Sequence, residues 1–322
     1  MMRFESVSEI EVPWSGTAIS IGNFDGVHIG HAALIRRLRA VADRLGVPAI
    51  ALTFDPHPAA VLDPHTSFVP LSWPERKERL LKRLGADDVI FLRADASFFA
   101  TTASDFMEDI LRRRLRVRGM VEGPDFRFGK DRSGSVDDLR RLALSDDLKL
   151  DLVPKVRFGD EIVSSSRIRR LVEAGEIEEA NRRLAARYRI VGTVERGAGR
   201  GSKIGFPTAN LALIPNLVPA AGVYAGRVFG LASPRPAAIH IGPNPTFGET
   251  RLKVEVHVIG CSDALLGCEL EVEFVRRLRG VVRFATPDAL IDQLRRDVAA
   301  AVAAVEGLPL EEIPSADHPG EP

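Results

Sequence analysis

Residues 17–46 read TAISIGNFDGVHIGHAALIRRLRAVADRLG, and the reading of this stretch decides the architecture of the first half of the chain. TAISIG (17–22) has the length and apolar character of a buried strand. Gly22 and Gly26 permit a tight turn at its carboxyl end. HAALIRRLRAVADRLG (31–46) then places Leu34, Leu38, Val41 and Leu45 on one stripe with arginines elsewhere, the signature of an amphipathic helix, and Gly46 supplies a stop. A strand passing through a glycine turn into such a helix predicts a strand–helix–strand unit.

Working outward, the alternation continues. PAIALTF (48–54), DDVIFLR (87–93) and RGMVEG (118–123) read as strands, and PERKERLLKRLG (74–85) and SDFMEDILRRRL (104–115) as helices. That order predicts an α/β, Rossmann-like parallel sheet with helices on both faces. Near residue 185 the pattern changes. RYRIVGTVERG (187–197), GVYAGRVFG (222–230), PAAIHIG (236–242), LKVEVHVIG (252–260) and CELEVEFVRRL (268–278) follow with turn signals between them. This series predicts a small antiparallel β-barrel. Thr286-Pro287-Asp288 opens a closing helix, with a capping residue before a proline at the first helical position. The expected organisation is a domain over 1–183, a barrel domain over 184–307, and a frayed tail over 308–322.

Composition narrows the class. Of 322 residues, 45% are apolar and 27% charged, and the 44 acidic and 44 basic residues balance. No global field points to nucleic acid or an anionic membrane. The amino end lacks the order of a signal peptide, and no apolar run spans a bilayer. Two cysteines, Cys261 and Cys268, make neither a disulfide framework nor a zinc site, so a cytoplasmic location is expected. Oligomeric state is not legible, and weak self-association is left open.

The first candidate site follows the first strand. His28 and His31 of H-x-G-H fall at the amino end of a helix, at the sheet edge where ligands of open parallel sheets bind. Free N–H groups and the helix dipole attract phosphate there. Gly22, Asn23, Phe24, Gly26 and Gly30 form the loop around it, and Gly30 permits close backbone approach. Ser164, Ser165, Ser166, Arg167 and Arg169 open another helix, which by itself is an ordinary capped helix start. Gly123–Lys130 imitates a P-loop, but it has one residue too many between its glycines and Asp131 in place of Ser or Thr. His57 and His65 both follow Asp-Pro and read as loop histidines, not zinc ligands.

The second candidate site lies in Gly192–Asn210, where glycines alternate with basic residues in a loop whose N–H groups can face phosphate. No helix is expected after it. In LKVEVHV, Lys253, Glu255 and His257 alternate with valines, so one face carries a carboxylate among polar groups. On pattern alone Glu255 is solvated surface.

GNFDGVHIGH, TFDPHP (53–58), PDFRFGK (124–130) and SSSRIR resemble the adenylyltransferase domain of the prokaryotic bifunctional riboflavin kinase/FAD synthetases, within the wider H-x-G-H nucleotidyltransferases. FPTAN (206–210) with the E-x-H of Glu255 and His257 resembles riboflavin kinases. The resemblance implies that riboflavin is phosphorylated by ATP to FMN in the second domain. FMN is then adenylylated to FAD with release of pyrophosphate in the first. It implies that His28 and His31 stabilise the α-phosphate transition state, with Arg167 facing the leaving group. It places flavin near Phe54, Pro56, Pro58, Asp125, Phe126 and Phe128, of which at least one phenylalanine is expected to be core. In the kinase it makes Glu255 the base, Thr208 and Asn210 the Mg²⁺ residues, Gly201, Ser202, Lys203, Gly205 and Pro207 nucleotide contacts, and Arg279 a flavin or nucleotide contact. IGPNPTFG (241–248) and VEFVRRLR (272–279) are further family-like segments. The chain departs from the family pattern at Ser166 (usually Thr), at Ser202 (often Arg) and over Gly280–Phe284, where a proline and a glutamate are frequent. The competing readings are a nucleotidyltransferase with another acceptor and a flavin-binding protein without turnover. FPTAN and E-x-H oppose the first, and the full set of reactive residues opposes the second.

Overall fold

The structure is a computed structural model and describes residues 1–63, 68–145, 148–243 and 253–310. His65, residues 244–248 of IGPNPTFG, Leu252 and the tail from 311 lie outside the described residues.

By internal contacts the chain forms two compact units, one from the described residues of 1–68 and 73–164, the other from 69–72 and those from 165 onward. The first holds a six-stranded sheet: β1 (Met2–Phe4), β2 (Thr17–Ile21), β3 (Ala49–Phe54), β4 (Asp88–Leu92), β5 (Val117–Glu122) and β6 (Lys149–Leu152). All its pairings are parallel, in the order β1-β4-β3-β2-β5-β6. The two edge strands, MRF and KLDL, escape the sequence reading because neither is long enough to show a period. From β2 the chain builds β3 and β4 on one side and then crosses to β5 and β6 on the other. The strand order therefore reverses between β2 and β5.

The two faces of this sheet differ in bulk. On one, β2 and β3 set Ala18 beside Ala49 and Ser20 beside Ala51. Gly119 of β5 belongs to the same face, since a Cβ on it would fall 2.8 Å from Leu45 and Val41 of the helix α1 (Ile29–Leu45) and 3.4 Å from the Ala18 Cβ. Small residues thus let α1 lie close. Ala32, Ile35, Leu38, Val41 and Ala42 are its buried stripe, whereas Leu34 and Leu45 are only half-buried. The expected stripe is rotated by part of a turn because alanines fill the close contact. The opposite face carries Ile19, Ile21, Ile50, Leu52, Ile90, Leu92 and Met120 in one cluster with Phe106, Ile110, Leu111 and Leu139. Phe106–Arg114 is a π-helix, where the spacing predicts an α-helix. The helix α2 (Pro74–Arg83) buries Arg76 and Lys77 along with Leu80 and Leu81.

The second unit is a closed six-stranded antiparallel barrel. Its strands are β7 (Arg189–Glu195), β8 (Ala209–Ala212), β9 (Gly222–Phe229), β10 (Arg235–Gly242), β11 (Lys253–Val258) and β12 (Glu269–Arg279), in the order β7-β8-β11-β10-β9-β12. The sequence reading supplies five of them; β8, four residues long at the end of FPTAN, is the sixth. Ser165–Ala174 and Ile177–Arg183 are helices of this unit, so contacts divide the chain at 164–165 where the sequence divides it at 183–184. The closing helix α7, counting these two as α5 and α6 and Val136–Ser145 and the π-helix as α4 and α3, spans Pro287–Val305. Thr286 caps it by accepting the Ala289 N–H at 3.2 Å.

Arg227 donates to the carbonyls of Val305, Leu308 and Pro309, and Arg187 also reaches Pro309. Residues 308–310 are therefore fastened, contrary to the expectation of fraying from 308. Glu273, fully buried, accepts from Arg189 at 3.0 Å and lies 3.6 Å from Arg227. Its carboxylate balances the cations that hold the end of α7.

Candidate active sites

The first site occupies the point where the strand order reverses. The pairing of β2 with β5 runs from Thr17 and Val117 to Ile19 and Met120. Beyond that the Ile21 N–H turns to the buried carboxyl of Glu122 at 2.7 Å. Burial pushes the Glu122 carboxyl well above the ordinary carboxylate range, against the single N–H bond that favours its charge. The loop that follows is compact and contorted. Phe24 and Val27 are fully buried at positive φ (44° and 43°) beside Gly26 at 77°. Residues with a Cβ rarely hold such angles, and here the packing of both side chains enforces them.

The two histidines cap α1 reciprocally. The Nδ1 of His28 accepts the His31 N–H at 3.2 Å, and the Nδ1 of His31 accepts the His28 N–H at 3.3 Å. Their rings stack with centroids 3.5 Å apart. A Cβ on Gly30 would lie 3.0 Å from two atoms of the His28 ring, so this glycine makes room for that ring. With both Nδ1 atoms accepting, each neutral ring carries its proton on Nε2. Burial holds His28 down at about 4. Burial, then the neighbouring His28 and Lys77, hold His31 well below the usual histidine value. Both are neutral N–H donors at the amino end of a helix at pH 7.

Lys77 escapes the sequence reading because it sits among the other charges of PERKERLLKR. It is 5% exposed, and its Nζ donates to the Asn23 carbonyl at 2.9 Å and lies 3.4 Å from the Thr53 hydroxyl. Thr53 donates to the same carbonyl at 3.0 Å. Burial lowers the Lys77 pKa, opposed by the charges of Asp25 and Asp55. The only sequence signal is its place on the apolar stripe, three residues before Leu80.

Among the expected flavin contacts, Phe128 is core, 5% exposed and packed against Phe106 at 5.0 Å. Phe126 lies 5.7 Å from Phe128, and Phe54 lies 5.3 Å from Phe98, each half-buried. Pro56 and Asp125 are exposed, and Asp125 pairs with Lys155. Pro58 is the first residue of the short helix 58–62. Ser165, Ser166 and Arg167 open α5 in the second unit, while Ser164 closes the first. Arg169 donates to the Val69 carbonyl at 2.5 Å, a fastening within the second unit.

The second site lies in a cavity of about 150 Å³ within the barrel unit. Gly201, Thr208, Asn210, Glu255 and Arg279 line it; Ser202, Lys203, Gly205 and Pro207 do not. Asn210 of β8 stands opposite Glu255 of β11, so an amide and a carboxylate share one face. A Cβ on Gly197 would fall 2.0 Å from the Asn210 amide nitrogen, which is why that position has none. The loop closes in one helical turn, Arg200–Lys203, where the sequence reading has no helix. The Phe206 N–H bonds back to Gly201 at 2.8 Å, and His257 meets the Pro207 carbonyl at 2.7 Å. Val254, Val256 and Val258 are buried, as the alternation requires. Glu255 is a cavity wall residue, which pattern alone reads as plain surface.

Arg279 is held by Asp297 of α7 through contacts of 2.7, 3.1 and 3.2 Å, and Gln293 adds a donor to the same carboxylate. Phe284 lies under its guanidinium at 5.7 Å. With Val281, Val282, Leu290 and Leu294 these residues give the cavity an apolar wall. No cluster of three His, Cys, Asp or Glu residues suited to a metal occurs among the described residues. Thr208, Asn210 and Glu255 offer a hydroxyl, an amide and a carboxylate. That oxygen set fits a hard cation which keeps waters and takes phosphate oxygens.

A family model for FAD synthetase matches residues 11–167, and one for riboflavin kinase matches residues 184–305. The bifunctional riboflavin kinase/FMN adenylyltransferase of Escherichia coli (strain K12) is 33% identical over 288 residues, covering 89% of this chain and 92% of its own. That of Listeria monocytogenes is 34% identical over 282 residues, covering 87% and 89%. A solved structure from Streptococcus pneumoniae, described as a macrolide-efflux protein, matches with a TM-score of 0.84 at 30% identity over 93% of this chain and 98% of its own. Among the described residues no helix of this chain is long and apolar enough to cross a membrane.

Proposed function

Because the chain belongs to the family of bifunctional riboflavin kinase/FMN adenylyltransferases, we propose that it makes both flavin cofactors in sequence. Riboflavin and ATP give FMN and ADP in the barrel unit. FMN and ATP give FAD and pyrophosphate in the sheet unit. The observation that carries this reading is that each signature builds its own site on its own compact unit, H-x-G-H on α1 and FPTAN with Glu255 on adjacent barrel strands.

In adenylyl transfer the FMN phosphate attacks the α-phosphorus of ATP and pyrophosphate leaves. The attacking oxygen is already ionised, so no base is needed. His28 and His31 offer Nε2–H donors to the charge that builds on the α-phosphate, aided by the α1 dipole. Lys77 fixes the Asn23 carbonyl and so the loop. The family resemblance assigns nucleotide contacts to Ser164, Ser165, Ser166 and Arg167, and flavin contacts to Phe54, Phe126, Pro56, Pro58 and Asp125.

In the kinase Glu255 takes the proton of the ribityl 5′-hydroxyl as it attacks the γ-phosphate. Thr208 and Asn210 would hold Mg²⁺, which when bound offsets phosphate charge. Gly201 on the cavity wall, and by the family resemblance Ser202, Lys203, Gly205 and Pro207, are the nucleotide contacts, and the wall of Val281, Val282 and Phe284 receives the ring system. Cys261 and Cys268 are both free thiols, in keeping with a reducing cytoplasm.

Chromatography of products tests the proposal. Riboflavin, ATP and Mg²⁺ should yield FMN and FAD; FMN, ATP and Mg²⁺ should yield FAD and pyrophosphate. FAD from FMN with nothing from riboflavin would remove the kinase, and no product in either would remove both.

A further inference from the structure

The buried residues of α7 are Asp297, Ala301 and Val305, a single stripe at four-residue spacing. A carboxylate thus takes the first place of an apolar stripe, where it is 4% exposed. It meets Arg279, the last residue of β12. The Nε of Arg279 lies 3.1 and 3.2 Å from the two carboxylate oxygens, and one terminal nitrogen donates at 2.7 Å. Gln293, one turn earlier in α7, donates to the same carboxylate at 2.8 Å. A buried ion pair contributes little to stability, since apolar residues of similar size often hold such a contact as well or better. The pair therefore calls for a role beyond fastening α7 to the barrel.

That role follows from what Asp297 does to Arg279. A guanidinium carries five N–H groups in one rigid plane. Among the described residues, Nε and one terminal nitrogen donate to Asp297, and the other terminal nitrogen donates to the Gly280 carbonyl at 3.0 Å. One N–H on each terminal nitrogen is left. The plane is fixed, and the segment that follows β12 leaves from it, with Phe284 under the cation. Arg279 and Asp297 line the barrel cavity beside Val281, Val282, Leu290 and Leu294. Val281 also closes on β10, for a Cβ on Gly242 would fall 3.1 Å from its side chain. Asp297 offsets the Arg279 charge, so the pair presents N–H donors without a net cation in an apolar surround. Such a wall suits a flat, neutral ring with carbonyl acceptors better than a triphosphate.

We propose that Asp297 is a positioning residue for the flavin. It fixes the Arg279 fork so that the remaining N–H groups and the wall of residues 280–284 meet the isoalloxazine ring and not the nucleotide. The inference rests on the kinase reading of the barrel cavity.

The test uses the intact chain and initial rates of FMN formation, with riboflavin and ATP varied in turn. Asp297→Asn should raise KM for riboflavin at least tenfold and leave KM for ATP and kcat within about threefold of wild type. Arg279→Met should do the same. The double variant should be no worse than either single one, because the two residues act as a unit. An unchanged KM for riboflavin in Asp297→Asn would overturn the proposal. So would a KM for ATP that rises alongside it, the mark of a packing role or of a nucleotide contact, or additive losses in the double variant. If Asp297→Asn does not fold, Arg279→Lys decides alone, since it keeps the buried pair and loses the fork. A riboflavin KM within about threefold of wild type in that variant would end the proposal, and a rise of at least tenfold with KM for ATP in place would uphold it. A wild-type protein that makes no FMN would instead sink the kinase reading.

Discussion

The two sites handle the same nucleotide with opposite chemistry. In the sheet unit the reactive side chains we propose are two neutral histidines at the end of a helix, fixed by each other's backbone N–H groups. In the barrel unit the proposed reactive group is a carboxylate on a strand, between an amide and an imidazole. The difference follows from the nucleophile. A phosphate monoester arrives ionised and needs only donors for the charge that develops at phosphorus. A primary alcohol must lose its proton and needs a base. Helix ends supply donors and strands present alternating side chains, so each fold suits its step.

The sharpest way to break the comparison is to remove the base. Glu255→Ala should lower FMN formation by about 10³, within the range for a positioned base, and leave FAD formation from FMN unchanged. Initial rates of both reactions on one preparation check this. Kinase turnover within tenfold of wild type would take the base role from Glu255. The converse is His28→Ala, which should cost FAD formation about 10²–10³, the scale of one lost donor at an oxyanion, and spare FMN formation. If both reactions fell together, the sites would not be separate.

Much of this is legible in the sequence alone. The β2–loop–α1 segment is unambiguous because strand period, glycine turn and helix stripe follow one another within thirty residues. The capping pair was visible as two histidines at a helix start. The reciprocity of their bonds, which fixes the tautomer, was not, since it depends on loop angles that packing imposes on Phe24 and Val27. Lys77 and Glu122 were hidden for a general reason. A charged residue in a charged helix, or at a strand end, reads as solvated, and only the tertiary fold reveals its burial. Glu255 was legible only through the resemblance, because the same alternation describes any half-exposed strand. β8 is not legible, since four residues carry too little pattern.

The protonation of the histidines separates the units in stability as well as in rate. His28 titrates at about 4 in the folded chain and near 6.5 unfolded. Between these values the unfolded state binds more protons. Stability is therefore complete above about pH 6.5 and falls as pH drops toward 4, by at most about 3 kcal/mol for this residue. Denaturant unfolding at pH 7 and 5 should show the sheet unit weakening, and His28→Asn should flatten that dependence. An unchanged slope in His28→Asn would mean that the ring titrates normally.

The smallest expected effect is the most discriminating. Gly30 lies inside the first turn of α1, where alanine favours the helix by up to about 1 kcal/mol. The added Cβ, however, would fall 3.0 Å from Cε1 and Nδ1 of His28. The ring must then give by a few tenths of an ångström, which loosens the stack with His31 and turns Nε2 off line. Gly30→Ala should thus fold at least as stably as wild type while FAD formation drops about tenfold, since small misplacements of a positioning group are costly. FMN formation should not change. Kinetics alongside thermal unfolding separate the two effects. A variant more stable and equally active would show that the histidines work without their stacked geometry, leaving the helix end itself as the main donor to phosphate.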